Sequence, residues 1–225
     1  MKRILAAIIA AALLLSGCTS APRPAESAPP TGTPSPSPTP IVTPTPEPEP
    51  ADGELVLVRD YIPGIFIDLK YATTDNFTGR VIYDSDEAYL RYGTVKKLLC
   101  AQNELSGRGL SLKIWDAYRP VSAQFKLWEI CPNPVYVSDP NNGYSKHSRA
   151  NTVDITLVTD TGKSIPMPSG FDDFTSLADR DYSDVSDEAA ENARLLENVM
   201  VENGFVPYSG EWWHYSDSVA YDVYG

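Results

Sequence analysis

The chain holds only two histidines, and each sits in a short segment rich in polar and aromatic residues with carboxylates beside it. The first segment runs Ser145-Lys146-His147-Ser148-Arg149-Ala150-Asn151-Thr152-Val153-Asp154, and the second Glu211-Trp212-Trp213-His214-Tyr215. Together they offer two imidazoles and a carboxylate to hold a metal, plus a further carboxylate to act as a base. A catalytic zinc site needs that set: three protein ligands, an open position for water, and a proton acceptor nearby. Either histidine alone would pass as an ordinary residue of a globular domain; the pairing of the two segments favours the metal.

The elements that must carry these residues follow from periodicity. Val153, Ile155 and Leu157 alternate with Asp154 and Thr156, so a strand over Val153–Val158 displays Asp154 opposite an apolar stripe. His147 precedes it closely enough for both to reach one ion. Glu211 and His214 are three apart and would face opposite sides of a regular strand, so a turn, bulge or twist is required between them. Trp212 and Trp213 between them are suited to packing as a wall against water. Further strands are expected at Leu55–Arg59, Phe66–Tyr71 and Leu110–Trp115. Helices are expected over Thr94–Leu105, marked by Val95, Leu98, Leu99 and Gln102, and over Ser122–Ile130. Another begins after Ser186, with Asp187 and Glu188 in its first turn and Leu195, Leu196, Val199 and Met200 on its buried side, and ends at Asn203-Gly204.

The N-terminus speaks to location. Lys2 and Arg3 precede an apolar run from Ile4 to Leu15, then Leu15-Ser16-Gly17-Cys18. That is the layout of a secretory signal, too short for a good transmembrane helix. Cys18 after Leu-Ser-Gly resembles a bacterial lipobox, which implies removal of residues 1–17 and lipid attachment to Cys18. Several acyl chains would hold the protein stably on the outer face of the cell membrane. Residues 18–52 then form a Pro/Thr/Ser-rich stalk. Thr19–Asp52 carries 12 of the 20 prolines, a composition that favours extended polyproline II over a packed core and spans roughly 100 Å at full stretch.

Residues 53–225 remain as one domain, long enough to bury a sizeable core. The formal net charge is −12, made more negative by loss of Lys2 and Arg3, which argues against nucleic acid or anionic lipid as a partner. Cys100 and Cys131 stay as a pair outside the cytoplasm, where a disulfide and two buried thiols are both open.

Four segments resemble the bacterial D-alanyl-D-alanine dipeptidases of the VanX family, zinc peptidases of the hedgehog/DD-peptidase fold. They are Asp68-Leu69-Lys70-Tyr71-Ala72-Thr73 through Gly79, Trp115-Asp116-Ala117-Tyr118-Arg119-Pro120, Ser145 to Asp154, and Glu211 to Tyr215. They occur in family order. The family pattern Ser-x-His-x-x-Gly-x-Ala-x-Asp is met at Ser145, His147 and Asp154, with Ala150 in place of Gly and Thr152 in place of Ala. If that Gly has positive φ, Ala150 costs about 1 kcal/mol of strain. Met167 to Asp172 is a weaker match.

The resemblance implies an α+β fold with a central antiparallel sheet flanked by helices. It implies one Zn2+ per chain on His147, Asp154 and His214, and Glu211 as general base. Arg119 would stabilise the oxyanion, an ion pair with Asp116 being its structural alternative. Ser145, Tyr71 and Asp172 become candidate substrate contacts, Asp172 for a free amino group. The implied activity is hydrolysis of D-Ala-D-Ala outside the cytoplasm, in cell-wall metabolism. A D,D-carboxypeptidase of peptidoglycan stem peptides and a non-catalytic zinc module that binds wall peptides are the alternatives. A module of the latter kind has no need of a base at Glu211.

Overall fold

A computed structural model describes residues 48–225. Cys18, the signal segment and nearly all of the stalk lie outside the described residues. Among the described residues no helix is long and apolar enough to cross a membrane.

The elements run β1 (Leu55–Leu57), α1 (Val58–Tyr61), β2 (Phe66–Ile67), β3 (Tyr89–Arg91), α2 (Tyr92–Ser106), β4 (Leu110–Asp116), α3 (Val121–Ile130), β5 (Thr152–Thr159), α4 (Asp187–Glu202), β6 (Phe205–Tyr208) and β7 (Glu211–Asp217). The main sheet has the order β2-β4-β5-β7-β6, and β1 pairs with β3 in a separate ribbon. The fold is α+β. Strands β4, β5, β7 and β6 are mutually antiparallel, as expected; the two-residue edge strand β2 is parallel to β4. Two expected strands are shorter than their apolar patterns. Val58 and Arg59 open a helical turn instead of prolonging β1, and Lys70–Ala72 forms a 3-10 turn after β2.

Helices α2 and α4 pack on the sheet through Val95, Leu98, Ala101, Leu105, Leu196, Val199 and Met200, all buried against Leu112, Ile114, Val153, Ile155 and Leu157. Leu99 and Leu195 lie at the margin of that core. Helix α4 starts where the sequence indicates: the Ser186 hydroxyl accepts from the Ala189 amide, and the acidic first turn complements the helix dipole. Gly204, at φ +85°, ends it in the conformation that favours glycine.

The polar side of β5 is buried as well, since every residue from Thr152 to Val158 is enclosed. Trp212 and Trp213 line that side with Trp115 and Phe171, and both tryptophans are fully buried. Cys100 is exposed, Cys131 is partly buried, and both are free thiols.

Candidate metal centre

The sheet register builds the site. Asp154 pairs with His214 on one side and with Asp116 on the other. Directly paired residues point to the same face, so these three side chains form a row across β4, β5 and β7. A bulge between Ile114 and Asp116 inserts one residue and brings Asp116 to that face. The second irregularity is larger. Pro207 pairs with Tyr215 but Tyr208 pairs with Glu211, so Trp212, Trp213 and His214 are extra on β7. This is the distortion that the Glu211–His214 spacing requires, and it brings the Glu211 carboxylate beside His214, which faces Asp154.

His147 arrives from a 3-10 turn over Lys146–Arg149 that is capped by Ser145, whose hydroxyl accepts from the His147 amide. His147 Nδ1 donates to the carbonyl of Ala117 at 2.9 Å, which leaves Nε2 as the lone-pair nitrogen. That Nε2 lies 3.3 Å from Asp154 Oδ2, and His214 Nδ1 lies 3.0 Å from Asp154 Oδ1 and 3.3 Å from Glu211 Oε2. Ligand atoms of His147, Asp154 and His214 all fall within 4.8 Å of one another. Asp154 Oδ1 is buried and, despite its short distance to His214, has no hydrogen bond. Two nitrogens and an unsatisfied buried carboxylate oxygen, converging on one point, fit a divalent zinc-type ion.

Electrostatics agree. Burial alone would raise the Asp154 pKa, but the two imidazoles outweigh it and hold the carboxyl well below the usual range. Burial would likewise lower the pKa of His214; the adjacent carboxylates of Asp154 and Glu211 override that and hold it at about 9.

The turn ends at Ala150, fully buried at φ +58°. The residue therefore does occupy the left-handed conformation that glycine tolerates best. Thr152 is accommodated by a partner: its hydroxyl sits 3.0 Å from that of Ser216.

Arg119 is buried beside this row. Its Nε and Nη2 bond Asp116 Oδ2, its Nη1 bonds Gln124, and its guanidinium lies 5.0 Å from the Tyr71 ring centroid. Three of the five N–H groups of the fork are thus used and two remain. The ion pair with Asp116 is present and leaves donors for a ligand. Tyr71 is buried and donates to Asp172 Oδ2 at 2.8 Å, so it reaches a substrate only through Asp172. Asp172, at φ +53°, has its pKa pushed up to about 8, chiefly by burial. Ser145, Lys146, Tyr208, Glu211 and His214 line one cleft of about 230 Å³ with the Pro134–Ser138 loop. Asp172 lines another cleft, with Trp115, Phe171 and Phe77.

The sequence pattern of the D-Ala-D-Ala dipeptidase family matches residues 51–222. The chain belongs to that family. As a member of it, the protein is a metallopeptidase. It is 39% identical to the D-alanyl-D-alanine dipeptidase of Escherichia coli K12 over 72% of this chain and 83% of that protein. It is 35% identical to the enzyme of the same name from Enterococcus faecium, over 69% and 87%. Among solved structures it resembles VanYB in complex with D-Alanine-D-Alanine, at 17% identity over 60% of this chain and 75% of that one, with a TM-score of 0.41.

Two residues of the site escape sequence reasoning. Asp116 was legible only as a partner for Arg119, yet it also accepts from the Tyr83 hydroxyl and lies 3.5 Å from His147 Nδ1. Arg180 sits between Asp179 and Asp181, where it reads as a solvated charge run, but its side chain is largely buried behind the β6–β7 turn.

Proposed function

We propose that this family member is a zinc-dependent D,D-dipeptidase that hydrolyses D-Ala-D-Ala to D-alanine. The observation that carries the reading is the convergence of His147, Asp154 and His214, with Glu211 3.3 Å from one of them but outside the ligand set. Zinc bound there would polarise the scissile carbonyl and lower the pKa of a water molecule.

The chain's own residues supply the rest. Glu211 takes the proton from the attacking water and returns it to the departing amine. Arg119, fixed by Asp116 and Gln124, directs its two unused N–H groups to the oxygen that gains charge in the transition state. Asp172 receives the substrate's ammonium group, with the Tyr71 hydroxyl holding its carboxylate in place. Pairing with that ammonium would favour the charged carboxylate, against the burial that raises its pKa. Ser145 keeps its own proton while accepting from His147 and can donate to the substrate in the cleft it lines. Trp115, Trp212 and Trp213 keep water from behind the row.

The proposal places the enzyme outside the cytoplasm, anchored to the cell membrane through lipid on Cys18. The support is the Lys2-Arg3 head, the apolar run and the Leu15–Cys18 tetrad. There it would recycle or trim wall-derived peptides. The test is hydrolysis of D-Ala-D-Ala alongside a pentapeptide ending in D-Ala-D-Ala, with metal content measured in parallel. Dipeptide cleavage by a protein holding one zinc, lost with the metal in His147→Ala, Asp154→Ala and His214→Ala, is the expected result. Cleavage of the pentapeptide alone would make the enzyme a D,D-carboxypeptidase. Full zinc occupancy in all three variants would refute the ligand set.

A further inference from the structure

The distortion of β7 needs something to hold it. Three extra residues leave its peptide groups out of step with β6, and carbonyls without a ladder partner need another donor. Arg180, on the segment between β5 and α4, supplies them. Its Nε donates to the Tyr208 carbonyl at 2.7 Å, and its Nη2 donates to the carbonyls of both Glu211 and His214 at 3.1 Å each. Its Nη1 donates to Glu197 Oε2 at 2.9 Å and to the Tyr215 hydroxyl at 3.1 Å, and its guanidinium lies 4.6 Å from the Tyr215 ring centroid. The side chain is only 10% exposed.

We propose that Arg180 is a positioning residue for catalysis, a clamp that sets the distance between Glu211 and His214. One nitrogen spans the carbonyls of both residues, so it fixes the two backbones relative to each other on the face opposite the metal centre. The planar fork is essential to this role: a lysine ammonium supplies charge but not several donors at fixed angles. Glu197 balances the charge of the clamp and makes no contact with the bulge carbonyls. The inference rests on the reading of His147, Asp154 and His214 as metal ligands and adds to them a residue that touches neither metal nor substrate.

The experiment uses the full chain with Arg180→Lys and Arg180→Gln, and Glu197→Gln as the control that keeps every carbonyl bond. Metal affinity is measured by chelator competition with Zn2+, ligand geometry by the visible spectrum of the Co2+-substituted protein, and kcat and KM on D-Ala-D-Ala. Both Arg180 variants should bind metal roughly 10–100-fold more weakly, the range for lost outer-sphere support, with an altered cobalt spectrum and a fall mainly in kcat. Glu197→Gln should match the parent on all three readouts. Circular dichroism separates these effects from unfolding, and Arg180→Lys, which retains the charge against Glu197, carries the test if Arg180→Gln does not fold. Folded Arg180 variants with parental metal affinity and cobalt spectrum would overturn the clamp, even if they melted at lower temperature. A parent protein that bound no metal at all would instead refute the metal centre itself.

Discussion

Replacing Glu211 by Gln separates the two jobs that a carboxylate beside a metal can do. Glu211 is not among the three converging residues that could hold a metal, so the variant should keep any metal bound there. It should lose turnover by at least ~10²-fold, the lower range for general acid–base groups, and chiefly in kcat because the proton moves in the transition state. The structure adds a second, opposite consequence. Glu211 Oε2 lies 3.3 Å from His214 Nδ1 and helps hold a proton there. That carboxylate is 36% exposed, so solvent screens the pair. Removing the charge should release about 1 kcal/mol of proton affinity, which is under one pH unit. A proton and a metal compete for the same imidazole. The pH midpoint for metal uptake in Glu211→Gln should therefore move down by that fraction of a unit while catalysis collapses. Metal titrations by calorimetry from pH 5 to 8, beside steady-state kinetics, measure both. An emptied metal site in the variant would make Glu211 a ligand. Undiminished hydrolysis by a metal-loaded variant would refute the proton-transfer role.

Two further outcomes are expected. His214 in metal-stripped protein has a pKa of about 9, above the ~6.5 of an unfolded chain. The stability this pair contributes is full below about pH 6.5 and is lost as pH rises through 9; melting curves of chelator-treated protein should show that loss, and His214→Gln should flatten it. At Ala150, relief of about 1 kcal/mol of left-handed strain in Ala150→Gly is offset by the chain entropy of glycine and by a lost buried methyl worth about 0.8 kcal/mol. That variant should fall within ~1 kcal/mol of the parent by urea melts, whereas Ala150→Val, with its branched side chain at φ +58° in a closed site, should lose more than about 2 kcal/mol.

Much of this architecture is legible in the sequence because it is written in periodicity. The alternation around Asp154 reveals β5, and the Ser186 cap with its acidic turn reveals the start of α4. The need for a distortion between Glu211 and His214 follows from spacing alone. What holds the distortion does not, because Arg180 acts on backbone carbonyls, which have no sequence signature, and its aspartate neighbours disguise it as surface. The short elements are lost for a related reason. Tyr89–Arg91 is too brief to show a period, and although a strand at Phe66 is legible, the parallel pairing of β2 with β4 depends on contacts distant in the chain. The burial of both faces of β5 is equally hidden, since the residues covering its polar side come from β4, β7 and the Phe171 loop.

The row of Asp116, Asp154 and His214 has a consequence for how the molecule assembles. Each belongs to a different strand, and a slip of one residue in either pairing would send a ligand to the helix side of the sheet. His147 and His214 also close a long stretch of chain, a contact reached late because its entropy cost falls due before any contact rewards it. The metal centre therefore cannot exist in a partly folded chain. It can come into being only when the strands have zipped in the one correct alignment, so an ion bound there would also certify the fold. A misregistered molecule would be left without cargo, inert toward peptides while still compact.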